Sequence, residues 1–141
     1  MEPTVELYKM QHQRALQCAT EIANSRVGAE TARTNAVAIR IALAHLAGVL
    51  KPHFTSEDRI VYPRLLAHTN SSVAETAKRF WAEMGGATEA VNDYLNTWRK
   101  FRAIEASPLE FITACKALFP ALKKRIEAEE NELYPMFLDH P

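Results

Sequence analysis

Apolar residues recur along this chain at spacings of three and four, the period of one face of a helix. In the first segment Val5, Tyr8, His12, Ala15, Leu16, Ala19 and Ile22 form such a stripe, predicting a helix over residues 4–25. Thr4 opens it, Gly28 lies in the break after it, and His12 falls mid-stripe, which points it inward. The second stripe passes through Val37, Ile41, Leu46 and Val49, predicting a helix over residues 29–68. Pro52 lies inside that helix, where the loss of one ladder bond predicts a kink immediately before His53. The polar run His68-Thr69-Asn70-Ser71-Ser72 reads as a turn, with Ser71 or Ser72 as the next N-cap and Glu75 at capping-box distance from Ser72. A third helix over residues 73–102 carries Ala77, Phe80, Trp81, Met84, Ala87, Val91, Tyr94, Leu95 and Trp98. Gly85-Gly86 interrupts it, at about 1 kcal/mol per glycine relative to alanine. That pair implies a kink, a close helix crossing or an opening beside the bundle axis. Ser107-Pro108 is an N-cap and N1 pair for a fourth helix over residues 108–138, bent at Pro120. Its stripe is Phe111, Cys115, Leu118, Phe119, Leu122, Ile126, Glu129 and Leu133.

Four amphipathic helices with short connections bury their stripes economically as an antiparallel up-down-up-down bundle. The expected architecture is all-α, a single four-helix-bundle domain over residues 1–141. Such bundles build their sites in the core, from facing helices.

Charge narrows the classes of partner. Lys+Arg and Asp+Glu number 17 each, for a net charge of zero, which argues against nucleic acid or an anionic membrane as partner. The basic run Trp98-Arg99-Lys100-Phe101-Arg102 reads as a solvated helix face. No run of eighteen or more apolar residues appears, and Met1-Glu2-Pro3-Thr4 lacks a signal pattern. Cys18 and Cys115 stand alone inside helical patterns and read as buried reduced thiols. Together these features predict a soluble, cytoplasmic protein.

The candidate chemistry lies in a phrase used twice. His53-Phe54-Thr55-Ser56-Glu57-Asp58-Arg59-Ile60-Val61-Tyr62-Pro63 is matched by Arg125-Ile126-Glu127-Ala128-Glu129-Glu130-Asn131-Glu132-Leu133-Tyr134-Pro135. Each copy sets a nitrogen side chain and a carboxylate one helical turn apart, on one face. Glu57 and Glu129 continue inward stripes, and a buried carboxylate is costly unless it is paired or bound to metal. Two facing carboxylates repel and raise at least one pKa unless a cation lies between them. With His12 and His53 they make a set suited to iron, manganese or zinc. Taken alone, an inward histidine is more often a satisfied core residue; the matching set on the other helices is what favours a ligand. Tyr62 and Tyr134 read as helix-end packing groups and Met84 as core filler. Asp58 and Glu130 read as facing solvent or backing the site, His45 as a core or surface group, and His68 and His140 as surface groups.

These residues resemble the hemerythrin-like (HHE) domain family over nearly the whole chain. The match rests on His12, on His53-x-x-x-Glu57, and on Glu129-Glu130-x-x-Leu133-Tyr134-Pro135. The resemblance implies a four-helix bundle with a non-haem di-iron centre, serving oxygen binding, oxygen or redox sensing, iron handling or repair after nitrosative stress. Two departures are visible. The third helix has no histidine, with Met84 near the expected position, and Arg125 stands where the second phrase should open with His. A guanidinium stays protonated and is no usual metal ligand. By the resemblance, the retained His12, His53, Glu57 and Glu129 belong to one metal position. Arg125 lies near the vacated one, able to replace the missing charge by pairing with Glu129 or Glu57.

Three functions fit these residues, in order of preference. The first is a metal-dependent sensor or regulatory binding protein holding one iron, manganese or zinc ion, not an oxygen carrier. The second is a metal-free regulatory module that binds a protein or a small effector. A mononuclear iron enzyme comes last, since nothing beyond the ligands suggests substrate handling. Partner and oligomeric state are open, with self-association through exposed aromatics such as Trp98 as one route.

Overall fold

In the computed structural model, which describes residues 5–84 and 86–141, the first element is α1 (Val5–Ser25). It buries Val5, Tyr8, His12, Ala15, Ala19 and Ile22, the stripe expected from the sequence. The expected start at Thr4 and the role of the Gly85-Gly86 pair beside Met84 lie outside the described residues and side chains.

The second helix is not continuous from Ala29. A short α2 (Ala29–Thr34) stops at Asn35, and α3 (Ala36–Ser56) starts afresh. The Asn35 side-chain amide donates to the Ser25 carbonyl at 3.2 Å, fixing the corner. The break resets which face is buried. Ala36, Ile39, Leu43, Leu46, Leu50 and Phe54 point inward, whereas Val37 and Ile41 of the expected stripe are 54% and 47% exposed.

Helix α3 then runs through one π-helical turn, Glu57–Val61, into α4 (Tyr62–Leu66). After the turn at residues 67–70, α5 (Ser71–Met84) and α6 (Gly86–Trp98) form the third bundle helix. Its start is capped by Asn70, whose Oδ1 accepts from the Ser72 N–H at 3.0 Å, rather than by either serine. The third helix ends at Trp98, and α7 (Phe101–Ala106) is a separate short helix. Helix α8 (Pro108–Ala128) has proline at its first position as expected, although Ser107 makes no side-chain cap bond. It too passes through a π turn, Glu129–Leu133, into α9 (Tyr134–Asp139).

Both irregular turns fall in the repeated phrase, not at Pro52 or Pro120, which lie within α3 and α8. Tyr62 N–H donates to the Glu57 carbonyl, and Tyr134 N–H to that of Glu129, each five residues back. Proline follows each tyrosine. It has no N–H, and in a regular helix its ring presses on the carbonyl four residues earlier. Widening the preceding turn relieves that contact in both copies, whereas Pro52 and Pro120 are accommodated within α3 and α8 without it.

The buried apolar side chains form two clusters. One includes Ala15, Ile22, Leu46, Leu50, Phe54, Leu122 and Ile126. The other includes Tyr8, Val61, Leu65, Phe80, Leu133 and Tyr134. His12 along α1, and Glu57 and Glu129 after α3 and α8, fall between the members of the two clusters, while His53 and Arg125 sit next to Phe54 and Ile126 of the larger one. Short helices α2 and α7 pack against each other and against α8 and α3 at the end of the larger cluster. The helical run Ala36–Leu66 has the length and mean hydropathy, 1.2, to cross a membrane. Its apolar residues instead supply much of the larger cluster, and it carries His53 and Glu57.

Other expectations shift in detail. Trp98 is not exposed; it is buried and packs edge-on against Phe111 at 5.3 Å. Trp81, expected in the buried stripe, is 43% exposed and lies edge-on to Tyr62. Cys115 is buried and Cys18 only partly so, both as free thiols.

Candidate metal centre

Among the described residues, the buried polar or charged side chains are His12, His53, Glu57, Arg125 and Glu129, each at most 1% exposed. These are the five singled out from the sequence. Helix α1 supplies the first, α3 and its π turn the next two, and α8 and its π turn the last two.

The two imidazoles are held from behind. His12 Nδ1 lies 2.8 Å from Glu130 Oε2, and His53 Nδ1 lies 2.7 Å from Gln11 Oε1. Both partners are acceptors, so each Nδ1 carries the hydrogen. Each ring therefore turns its Nε2 inward, and the two Nε2 atoms stand 3.1 Å apart. His12 Nε2 is 3.0 Å from Glu129 Oε1, and His53 Nε2 is 3.0 Å from Glu57 Oε1 and 3.9 Å from Glu129 Oε1. One atom from each residue thus lies within 4.8 Å of the other three.

The far side of the carboxylates faces arginine. Arg125 Nε donates to Glu129 Oε2 at 3.3 Å, and Nη2 lies 3.7 Å from Glu57 Oε1. Nη1 donates to Thr88 Oγ1 at 3.0 Å, and the guanidinium stacks on Phe54 at 4.2 Å. Glu129 is shared, one oxygen toward the histidines and the other toward the guanidinium.

Tyr134 belongs to the same cluster. Its hydroxyl donates to Glu57 Oε2 at 2.8 Å and lies 3.1 Å from His12 Nε2. The sequence pattern placed it among helix-end packing groups. Long side chains on a helix lean back toward its N-terminus, so a tyrosine one wide turn after Glu129 returns to that layer. Tyr8 stacks on Tyr134 at 5.6 Å and meets His53 edge-on at 5.2 Å, walling the site. Its own hydroxyl is paired with Ser56 Oγ at 2.8 Å. Tyr62, the counterpart of Tyr134 in the first phrase, is buried with no hydrogen-bond partner for its hydroxyl. Gln11, Glu130 and Thr88 also touch the site from outside. Gln11 and Glu130 adjoin His12 and Glu129 in sequence, the one cue available for them.

The electrostatics follow from burial. Desolvation and the Glu129 charge raise the Glu57 pKa. Desolvation acts the same way on Glu129, but the neighbouring imidazoles of His12 and His53 and the charge of Arg125 outweigh it and lower its pKa. Burial disfavours a proton on His53, yet the nearby carboxylates of Glu129 and Glu57 prevail and lift its pKa to about 9. Two carboxylates and one fixed guanidinium leave one negative charge in this layer. One proton on the imidazole pair balances it; a divalent ion in its place leaves one positive charge, which the Glu130 carboxylate behind His12 offsets.

The donor set fits a metal ion. Four donors about 2.1 Å from a common centre in tetrahedral array stand about 3.4 Å apart, and the measured pairs bracket that spacing. Glu57 Oε1 is buried without a hydrogen-bond partner although His53 Nε2 is 3.0 Å away. With two inward-facing ring nitrogens and Glu129 beside it, this oxygen belongs to a buried group that could hold a metal ion.

The chain matches the family model described as the hemerythrin HHE cation binding domain over residues 4–137. It belongs to the hemerythrin HHE domain family. Comparison with curated proteins and with solved structures finds no match.

Removing the Tyr134 hydroxyl tests how closely the cluster is balanced. Tyr134→Phe is expected to cost about 1–3 kcal/mol, because Glu57 Oε2 loses its donor while buried. Urea unfolding followed by circular dichroism measures it; an unchanged midpoint would show that water or another group takes over the bond.

Proposed function

We propose that this chain is a metal-binding sensor or regulatory binding protein in which His12, His53, Glu57 and Glu129 hold a single divalent ion. Iron, manganese and zinc all suit two imidazoles and two carboxylates. The observation that carries the reading is the anchoring of both Nδ1 atoms, by Glu130 and Gln11, which turns both Nε2 atoms onto two buried carboxylate oxygens. Ligand histidines in metal sites are oriented in this way. Bound there, an ion supplies fixed positive charge and, if it is iron, a one-electron couple.

Arg125 limits the site to one ion. Its guanidinium contacts the outer oxygen of Glu129 and approaches Glu57, where a second ion bridged by these carboxylates would need them. A cation already stands there, and it brings no lone pair. The chain is therefore read as having exchanged one ion for a permanent charge.

Metal analysis of protein purified without chelator, after growth with iron, manganese and zinc, tests this directly. We expect about one ion per chain, and its loss on His53→Ala or Glu57→Ala with helical content retained. Two irons per chain with an oxo-bridge absorption band would overturn the role given to Arg125. No metal in a cooperatively folded protein would favour the metal-free module, in which a protonated imidazole balances the layer instead.

A further inference from the structure

The basic run Arg99-Lys100-Phe101-Arg102 plays no part in the buried cluster, and it does not lie on a featureless face. It borders a groove of about 790 Å³ between α3 and the end of α6. That size is within the range of pockets that take small organic ligands. Arg40 and Lys51 of α3 line the same groove, with Arg99, Lys100 and Arg102. Among the described residues, no carboxylate lines it. Five of the 17 basic residues of a chain with no net charge thus gather at one opening. Among the described residues, none of the five has an ion-pair partner.

The inner surface is apolar. Leu43 and Leu95 form the buried base, with Ala44, Ala47 and the half-buried Phe101 on the walls. Val37, which the helix-face pattern places in the core, is 54% exposed and lines this groove. Arg40, Ala44, Ala47 and Lys51 follow one another at helical spacing along α3, about 16 Å from first to last at 1.5 Å per residue. A second, smaller depression of about 370 Å³ shares Lys51 and Asn96 with the first and continues to Phe54 and Thr88. Both of those residues contact Arg125. The surface is an elongated trough with Arg40 and the cations of residues 99–102 toward one end, aliphatic walls along its middle and, past Lys51, an uncharged polar end beside Arg125.

We propose that this trough binds an amphipathic organic anion, a single carboxylate on an extended aliphatic body. The charged group pairs with Arg40 and the Arg99–Arg102 corner, and the apolar body lies along the seam toward Lys51. The combination favours such a molecule over simpler ones. A fully hydrophilic anion leaves Val37, Ala44 and Phe101 uncovered, and a neutral apolar molecule makes no use of the cations. The site does not depend on an ion between the histidines, because none of its lining residues is a proposed ligand.

Nitrogen-15 NMR titration of the full chain with decanoate, far below micelle formation, tests the proposal. Saturable one-to-one shifts are expected at amides of residues 37–51 and 95–102. Arg40→Glu with Arg102→Glu is expected to weaken binding at least tenfold. Lys123→Glu, an exposed charge on α8, should leave it unchanged, and circular dichroism verifies the fold of each variant. Equal affinity for decanol would overturn the role of the cations. Equal affinity for acetate or inorganic phosphate would reduce the groove to a simple anion patch. An acidic amphipathic peptide binding the same residues at least tenfold more tightly would make this a protein-docking surface, and absence of saturable shifts would remove the site altogether.

Discussion

Arg125→Met is expected to lower the unfolding free energy by about 3–5 kcal/mol, the usual cost of stripping one partner from a buried charge pair. For a chain of this size that corresponds to a melting temperature lower by about 10–20 °C. Methionine retains apolar bulk over Phe54 but offers no donor to Glu129 Oε2 or Thr88 Oγ1. Two buried carboxylates then face each other with only imidazoles for compensation. Excess divalent metal should recover more stability in this variant than in the parent, since the ion supplies the missing charge. Urea unfolding with and without zinc, on chelator-treated protein, measures both quantities. A loss below about 1 kcal/mol, the value of an exposed ion pair, would refute the idea that the guanidinium neutralises the core. Arg125→His is the complementary variant. It removes the fixed charge and returns a lone pair, so a gain of a second ion would identify Arg125 as the residue that blocks it.

Chelator-treated protein is expected to lose about 3 kcal/mol of stability as pH rises from about 6.5 to about 9, while its affinity for a divalent ion increases. The sign follows from His53. Its folded pKa, about 9, exceeds the unfolded value near 6.5, so the folded state holds the proton more tightly. That stabilisation is complete below about 6.5 and lost as pH passes through about 9. Glu57 contributes with the same sign, because burial and Glu129 raise its pKa above that of an unfolded carboxyl. Metal binding needs an unprotonated imidazole, so the ion is favoured where the proton is not. Urea midpoints at pH 6, 7.5 and 9, beside metal titrations at the same values, give both trends. A flat stability profile would contradict His53 as the holder of the balancing proton. Affinity that does not rise with pH would contradict the imidazoles as ligands.

The sequence and the structure diverge in ways that have local causes. The inward direction of His12, His53, Glu57, Arg125 and Glu129 was legible, because three-and-four spacing within a helix fixes which residues share a face. The face of α3 was not, because Asn35 breaks the helix and resets its phase, moving Val37 and Ile41 to the surface and Val37 into the wall of the groove. Helix propensity does not register such a break, since asparagine is tolerated both within helices and at their caps. The wide turns were half legible. The two Tyr-Pro endings mark where a regular helix cannot continue unchanged, yet proline alone does not say whether the chain kinks, widens or stops. Tyr134 followed from neither pattern, as its hydroxyl reaches the site only through the backward lean of its side chain and the phase of the π turn.

By itself the sequence determined a helical bundle, a family, and five charged or polar side chains set into its core. These are matters of period and of repeated phrase, which neighbours along the chain dictate. Only the tertiary structure decided that Glu130 and Gln11 anchor the two imidazoles and that Glu129 divides its oxygens between histidine and arginine. It alone brought Arg40 and the residues 99–102 to a common opening. Those relations join residues far apart in the chain, and no local rule sets their distances. The repeated phrase supplied two similar halves; packing set His53 and Glu57 of one beside His12 and Glu129, and put the permanent charge of Arg125 against both carboxylates.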